Sequence, residues 1–597
     1  MIKTSFLLIF SFSTLFGQIS EWNPDEMHRK AMEYPSAMEC ATCHPKQTRE
    51  WSVSPHAYTQ MSPVFNAMTG FVGVGTNGTN GDFCMRCHTP AGMAMGEPVF
   101  MDNPDREQVS REGITCIACH KVNRNYGRVS GRQHIKPGDV YTEVYGPEGG
   151  EELERVQGLP EFQLASPENK KGMAVHLKAE KFFEMSEPSF CGTCHEFYNQ
   201  VGLRNQETLT EYRHSQSAKD GISCQDCHMG KTPGISLGDD SENYEFGPAA
   251  IVNGKPTKTR KLTNHMMAGP DHTLIHPGLF PLNPQAKDLA DVHDWTKFDW
   301  KSGWGTDDFE DEIDDGFEFP EAWENYDDRA DASEIIQNNL DLINEYMVQR
   351  LTLLKNGYNI GGIEVTKASD RGIKFKVKVE NITEGHSVPT GFSIRPLYLR
   401  VEVADESGNI VFKSGDLDPN GDFRDEHSLY VQHGQMDLDP YLFNLQPKFT
   451  VRNIRGGERT EPVPVNYSGS PLPFIRPFPM SFTLAGRPKG LRIKRFGIQT
   501  GGHRWAKYKV KSKELTGGEN YTVNVKLIAP MIPVNLINTI KDMGFEYNMT
   551  AKQLADRVVS GHTTVWEYSG VIKLNSDFTD IDWTVVDTAP FKYEDLK

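Results

Sequence analysis

Cys40-Ala-Thr-Cys43-His44 is the first of five stretches of the form Cys-x-x-Cys-His in this chain of 597 residues. The other four are Cys84-Met-Arg-Cys87-His88, Cys116-Ile-Ala-Cys119-His120, Cys191-Gly-Thr-Cys194-His195 and Cys224-Gln-Asp-Cys227-His228, and together the five contain all ten cysteines. Two thiols at this spacing can form thioethers to the two vinyl groups of one haem, and the next imidazole then lies beneath the iron. Zinc sites would not need a histidine after every second cysteine, and a redox dithiol would occur once. The pattern therefore predicts five covalently bound haem c groups, with His44, His88, His120, His195 and His228 as iron ligands.

The spacing of the motifs predicts how this part of the chain folds. All five lie between residues 40 and 228. So few residues per haem cannot build a separate shell around each group, so the haems must form the core and pack close together. We expect a helical, loop-rich domain over residues 18–300, in which short helices carry the histidines and there is little sheet.

The sequence around the motifs resembles a known family. The runs CATCHPKQTREWSVSPHA (40–57), FCMRCHTPAG (83–92), GITCIACH (113–120), SFCGTCHEF (189–197) and GISCQDCHM (221–229) are similar to multihaem cytochromes c related to the tetrahaem electron-transfer cytochrome c of ammonia-oxidising bacteria. The resemblance covers roughly residues 36–280. It implies electron transfer through haems that mostly have two histidine ligands. Five motifs instead of four is a departure from that family.

The resemblance also suggests second iron ligands. His56 matches the distal histidine of the family's Trp-x-x-Ser-x-His-Ala pattern, His176 resembles the ligand upstream of a motif, and His265 resembles the ligand after the last motif. His134 and His272 compete for the remaining places with His214 and His276. The alternative for each is a surface, capping or structural histidine, and nearby methionines are expected to pack against porphyrin rather than bind iron.

The chain ends differ in character from the haem region. Residues 1–17 predict a cleaved signal peptide, because Lys3 precedes an apolar run from Phe6 to Phe16 and Gly17 is small. A buried N-terminal helix or an uncleaved anchor is the alternative. No later stretch has enough apolar residues to span a bilayer, so we expect no transmembrane anchor. Export would place the protein in the periplasm or on the cell surface. The net charge of −18 argues against nucleic-acid binding.

The sequence of the second half of the chain predicts a different structure from that of the haem domain. Residues 301–358 are expected to form an acidic linker (307–315) and an amphipathic helix (332–355). Residues 359–597 show alternating strands that predict a β-sandwich, interrupted by a helix over 551–560 with Thr550 as its N-cap. The predicted fold class is α+β and multidomain: a pentahaem domain with a haem core, a linking helix and a C-terminal sandwich. His386, in a turn of the last part (385–391), could reach a haem edge, but it is expected instead to brace that turn.

One further segment suggests a metal. Asp416-Leu-Asp418-Pro-Asn420-Gly421-Asp422 spaces its oxygen ligands like the first half of a calcium loop, but His427 stands where the twelfth-position glutamate would be. Calcium binding and a plain β-turn between strands are the two interpretations.

We expect an exported pentahaem cytochrome that passes electrons one at a time along closely packed haems in a respiratory or extracellular electron-transfer chain. Its partners would be redox proteins, either other cytochromes or a quinol-oxidising complex. One alternative is a multihaem reductase or oxidase of a small nitrogen or sulfur compound, which requires an open haem iron. The other is a subunit of a cytochrome filament or outer-membrane conduit, which requires self-assembly. We expect a non-catalytic carrier and assign no catalytic residue.

Overall fold

The structure, a computed structural model, describes residues 24–597 except 77, 79, 126–129, 132, 166–170, 199–203, 236–240, 315, 393, 453–457, 462–490 and 578–580. The predicted signal peptide lies outside the described residues. Within the described part of the chain, no helix has the length and apolar content needed to cross a membrane.

The first half of the chain is built from short helices separated by loops. Proline at the first helical turn and Ser, Thr or Asn caps begin several of them. The helices are α1 (Pro24–Ala31), α2 (Ala37–Ala41), α3 (Pro45–Ser52), α4 (Pro63–Gly75), α5 (Met85–His88), α6 (Pro90–Met95), α7 (Gln108–Arg111), α8 (Ile117–His120), α9 (Glu151–Gln157), α10 (Pro188–His195), α11 (Thr208–Arg213), α12 (Gln216–Lys219), α13 (Cys224–His228), α14 (Pro284–Leu289), α15 (Val292–Trp295) and α16 (Asp307–Glu312).

Two-stranded ribbons connect these helices. The strands are β1 (Val122–Asn125), β2 (Gln133–Ile135), β3 (Glu143–Gly146), β4 (Lys178–Lys181), β5 (Glu196–Tyr198), β6 (Arg204–Glu207), β7 (Glu245–Pro248), β8 (Ile251–Val252), β9 (Lys255–Pro256) and β10 (Thr259–Leu262). The pairs are β1–β2, β3–β4, β5–β6, β7–β10 and β8–β9, and only β3–β4 is parallel among them. The prediction of little sheet therefore misses several ribbons, whose strands are too short to show a period of two in the sequence.

A long helix, α17 (Tyr326–Gly357), links the two halves. The predicted helix over 332–355 is confirmed and begins earlier, where the Asn325 side chain accepts a hydrogen bond from the Asp327 amide as an N-cap. Its buried face includes Ile336, Leu340 and Ile343, which pack in one cluster with aromatic residues of the first half such as Trp295. The acidic run partly forms α16, and the Glu310 carboxylate on that helix pairs with the buried Arg329 guanidinium of α17.

The C-terminal half is mostly antiparallel sheet. Its strands are β11 (Tyr358–Ser369), β12 (Gly372–Asn381), β13 (Tyr398–Ala404), β14 (Ile410–Ser414), β15 (Lys448–Arg452), β16 (Glu458–Glu461), β17 (Leu491–Lys494), β18 (His503–Lys511), β19 (Asn520–Ala529), β20 (Thr563–Lys573) and β21 (Thr584–Val586). The sheet orders are β11–β12–β18, β14–β13–β19–β20–β21 and β16–β15–β17. The first two share one apolar cluster, in which Val377 of β12 and Val525 of β19 are fully buried.

Three helices accompany these sheets: α18 (Leu429–Gln432), α19 (Val534–Ile540) and α20 (Ala551–Ser560). The predicted helix over 551–560 is confirmed, with Thr550 as N-cap in a capping box with Gln553. The sequence did not predict α19, which is short and buried on most sides. The mixture of helix and sheet agrees with the predicted α+β class.

Candidate haem-binding site

Each Cys-x-x-Cys-His motif ends on a turn of helix. The amide of His44 donates to the Cys40 carbonyl (2.9 Å) and the amide of His120 donates to the Cys116 carbonyl (2.8 Å). This i→i−4 bond places the first cysteine and the histidine one above the other on one helical face. Ser36 caps the helix that carries the first motif, and Ser223 caps α13, which carries the fifth. The local sequence of each motif therefore places its thiols and its imidazole close together, independently of contacts with distant residues.

All five motifs face one continuous cavity of about 1900 Å³. Its lining includes all ten motif cysteines and all five motif histidines. Five other histidines line the same cavity: His56, His176, His265, His272 and His386. The predicted common core for closely packed haems thus corresponds to a real internal space rather than to five separate pockets.

Three of these histidines face a motif histidine across the cavity. The ring centroids are 6.1 Å apart for His44 and His176, 6.3 Å for His56 and His195, and 6.3 Å for His228 and His386. The ring planes are inclined by 15°, 50° and 15° respectively. Two imidazoles that bind one metal ion from opposite sides have centroids roughly 6 Å apart, because each metal–nitrogen bond is about 2 Å long. These pairs therefore have the spacing that one iron atom between them requires.

A fourth pair is indicated by electrostatics. The His265 side chain is 19% exposed. Desolvation lowers its pKa to about 4, and His120 is the neighbouring group that adds most to this shift. The backbone amide of His265 donates to the Glu50 carboxylate (3.0 Å), which fixes this segment against α3. His265 is thus held beside the third motif.

The Nδ1 atoms of five cavity histidines form hydrogen bonds to backbone carbonyl groups of the protein. Acceptors for the Nδ1–H groups are the Ala249 carbonyl for His44 (2.7 Å), the Tyr145 carbonyl for His120 (2.9 Å), the Val140 carbonyl for His176, the Thr263 carbonyl for His265 (3.0 Å) and the Ser387 carbonyl for His386 (2.9 Å). A hydrogen bond at Nδ1 sets the tautomer in which Nε2 carries the lone pair. The donor set therefore fits haem iron, which takes a neutral imidazole.

Burial also keeps these imidazoles neutral. Desolvation lowers the pKa of His44, His88 and His228 to about 4 and that of His56 to about 3. The pKa of His386 is lowered for the same reason. At neutral pH the unprotonated form that can bind a metal is therefore the stable one.

Contacts between cysteines show which motifs are neighbours. Cys40 lies near Cys116, Cys87 near Cys194 and Cys191 near Cys224, close enough for the thiols of each pair to shift each other's pKa. The neighbouring thiol and then burial raise the pKa of Cys116 and Cys194 far above the ordinary value. The first motif thus adjoins the third, and the second adjoins the fourth, which in turn adjoins the fifth.

The second motif differs from the others in its surroundings. The ring of Phe65 stacks on the His88 imidazole, with centroids 3.8 Å apart and planes inclined by 7°. Among the described residues, neither His88 nor His120 forms a ring pair with a second imidazole, but a phenyl ring stacks on His88 alone. Phe65, Met68 and Val72, all from α4, make this part of the cavity wall apolar.

The remaining predicted ligands lie elsewhere. His134 is on β2 and is not part of the cavity lining. His272 reaches the cavity wall; its Nδ1 is bonded to the Thr273 carbonyl, and its Nε2 is buried without a hydrogen-bond partner beside Gly561, where an added Cβ would lie 2.5 Å from it. His214 lines a separate, smaller cleft. The structure thus brings His56, His176 and His265 to the motif histidines, and does not bring His134 or His272 there.

His386 is the site residue to which the sequence analysis gave another role, that of bracing a turn. It lies in the loop between β12 and β13, far along the chain from the motifs, and faces His228. Its signal in the sequence was the turn 385–391 around it, which resembles turns of β domains appended to multihaem cytochromes, and in such a turn a histidine also serves to brace a loop.

Comparison with known proteins adds to this geometry. Residues 39–121, which contain three of the five motifs, match the family model "Cytochrome c554 and c-prime". The match and the motifs support a multihaem c-type cytochrome, an electron-transfer protein with covalently bound haem c. Among solved structures, the chain is similar to a penta-heme cytochrome c552 from Thermochromatium tepidum, at 16% sequence identity and a TM-score of 0.48, covering 91% of this chain and 100% of that one. No curated protein matches significantly.

Proposed function

We propose that this protein is a pentahaem cytochrome c that carries single electrons along five haems in the common cavity. The observation that carries the proposal is that all ten cysteines and all five motif histidines line one internal space. When bound, the haems supply one-electron iron chemistry. The chain holds each group through two thioethers and one imidazole, and brings neighbouring groups close through the contacts between motifs.

The second ligands follow from the imidazole pairs. We assign His176 to the group held at His44, His56 to that at His195, His386 to that at His228 and His265 to that at His120. His134 and His272 are left out of this assignment. The four pairs keep small molecules away from the iron on both sides, as suits an electron carrier.

The test uses the purified protein with its haems in place. Intact-protein mass spectrometry should give a mass that carries five haems and no free thiols. Electron paramagnetic resonance of the oxidised protein should then show low-spin signals from four irons with two histidine ligands each. A mass with fewer haems, or free thiols after normal maturation, would contradict the proposal.

A second function is favoured by one observation, the absence of an imidazole partner for His88 among the described residues. An iron held there would have an open position facing the apolar wall from α4, where a small nitrogen or sulfur compound could be reduced or oxidised. A high-spin resonance signal that changes on adding nitrite or hydroxylamine would support this reading. A fifth low-spin signal would reject it.

The proposal also covers the location of the protein and its redox partners. Export to the periplasm or the cell surface is supported by the apolar run near the N-terminus, and the partners would be other cytochromes or a quinol-oxidising complex. We further propose a relationship to the tetrahaem electron-transfer cytochrome of ammonia-oxidising bacteria and a C-terminal β-sandwich domain. Cell fractionation with N-terminal sequencing of the mature chain tests the export.

A further inference from the structure

A turn between β14 and α18 contains two buried carboxyl groups, those of Asp418 and Asp422. Their residues are 5% and 1% exposed. The Asp418 Oδ1 atom accepts the amides of Asn420 (2.8 Å) and Asp422 (3.0 Å), and its Oδ2 atom accepts the Ser428 hydroxyl (2.6 Å). A carboxylate can accept about four hydrogen bonds or ligand contacts, so Asp418 retains one lone pair for a further partner.

The carboxyl group of Asp422 accepts fewer hydrogen bonds than that of Asp418. Its Oδ1 atom is buried without a hydrogen-bond partner, and its Oδ2 atom receives only a long bond from the Asn538 amide group (3.4 Å). The side-chain oxygen of Asn535, a residue 6% exposed, is also buried and unpartnered. The backbone N–H of Asn535 faces the Asp422 carboxyl group. Two oxygen acceptors without donors therefore lie at the contact between the turn and α19.

The charge of this pair is not balanced by the protein. The adjacent Asp416 carboxylate binds Arg424 (2.6 Å) and Lys413 (2.9 Å), and the Asp425 carboxylate binds Lys448 (3.1 Å). Asp418 and Asp422, by contrast, form no ion pair within the described residues. A buried carboxylate without a compensating charge is costly, so a cation would stabilise this arrangement.

We propose that the turn 418–422 and α19 bind a calcium ion between the carboxylates of Asp418 and Asp422 and the side-chain oxygen of Asn535. The ligands are all oxygen atoms, which calcium prefers and which do not suit zinc or copper. Backbone carbonyls and water would complete the six to eight oxygens that calcium takes. Asp416 is not part of the proposed site, because its carboxylate already forms ion pairs with two cationic side chains.

Such an ion would tie the turn to the wall of the haem cavity. Gly421 lies so close to α20 and α19 that a Cβ there would be 2.4 Å from Val559 and 3.4 Å from Val534. Leu536 of α19 and the preceding residues Met531 and Ile532 line the cavity. Calcium should therefore stabilise the contact between the C-terminal sheets and the haem region.

The experiment uses the full-length protein with haems bound. Equilibrium dialysis with radioactive calcium should show one ion per chain, and the thermal midpoint should fall with EDTA and recover with calcium but not with the same concentration of magnesium. In Asp422→Asn the calcium response should be lost, whereas the exposed control Asp437→Asn should keep it. No bound calcium in wild type, or an undiminished response in Asp422→Asn, would overturn the proposal.

A second variant distinguishes a cation from a proton at Asp422. Asn535→Asp adds a third carboxylate to the site. If calcium binds there, the variant should bind it more tightly and show a larger stabilisation by calcium than wild type. If only a proton is held at Asp422, the added charge should destabilise the protein equally with and without calcium, and this result would also overturn the proposal.

Discussion

The imidazole rings of His228 and His386 are nearly parallel, with ring centroids 6.3 Å apart and planes inclined by 15°. His228 belongs to the last Cys-x-x-Cys-His motif, and His386 belongs to a loop between two strands of the C-terminal sheets. The Nδ1–H of His386 donates to the Ser387 carbonyl (2.9 Å), which leaves Nε2 for iron. One haem should thus be held jointly by the two halves of the chain.

Replacing His386 should change a single haem. In His386→Met, one iron should exchange a histidine ligand for methionine, and its reduction potential should rise because methionine is the weaker donor to oxidised iron. Spectropotentiometric titration should show one of the five potentials shifted upwards, and one bis-histidine resonance signal should be replaced by that of a low-spin iron with histidine and methionine ligands. His214→Met, outside the cavity, is the matched control and should leave all potentials unchanged. A wild-type titration curve for His386→Met would show that His386 is not a ligand.

Met267 should tune the haem held at His195. The His56 Nδ1 atom lies 3.0 Å from the Met267 sulfur, a weak acceptor that takes the place of the carbonyls used by the other histidines. In Met267→Leu this bond is lost, the imidazole becomes a poorer donor, and the potential of that haem should rise slightly. The neighbouring buried Met266→Leu is the control for packing alone. Equal shifts in both variants would exclude a role for the sulfur contact.

The ion pair between Arg106 and Glu97 should be essential for stability. The guanidinium Nη1 and carboxylate Oε2 atoms are 2.8 Å apart, and the two side chains are 1% and 0% exposed. In Arg106→Met the carboxylate remains buried without its partner, which costs about 3–5 kcal/mol of the free energy of unfolding. Denaturant titration measures the loss. The exposed pair of Lys552 and Asp556 provides the control, and Lys552→Met should change stability far less. Similar losses in both variants would contradict the prediction.

His272 should make the protein sensitive to acid. Burial lowers its pKa from 6.5 to about 3 in the folded state, so between these values the unfolded chain binds more protons than the folded chain. Stability is therefore lost as the pH falls from 6.5 towards 3, with a slope of up to about 1.4 kcal/mol per pH unit from this group. In His272→Asn the free energy of unfolding should depend less steeply on pH in this window. The exposed His293→Asn should retain the wild-type slope, and an unchanged slope in His272→Asn would refute the assignment.

Several features of the fold could be read from local sequence. The long helix α17 and the helix α20 were predictable because their apolar period and caps lie within one segment. The ribbons of the first half and the buried helix α19 were not, since they are too short or too uniformly buried to show a period. Packing against distant residues decides their conformation, as it does for Leu536 and Ile537 of α19.

The same division applies to the site. His56 was found because the pattern around it is contiguous, whereas nothing in the local sequence separated His272 from the histidines it competed with, and its Nε2 atom lies beside Gly561. Whether a histidine faces a motif depends on the backbone that surrounds it, which the residues next to it in sequence do not specify.

What the sequence determined by itself was the covalent chemistry: two thiols and an imidazole within five consecutive residues share one helical turn wherever that turn lies. What only the tertiary structure decided was which imidazole completes each pair and which motifs adjoin. Those relationships join segments that are distant along the chain, and their geometry is set by the packing of helices and sheets around a common cavity. For this reason the imidazole that pairs with His228 comes from the C-terminal half of the chain, whereas His88 is stacked on an aromatic ring.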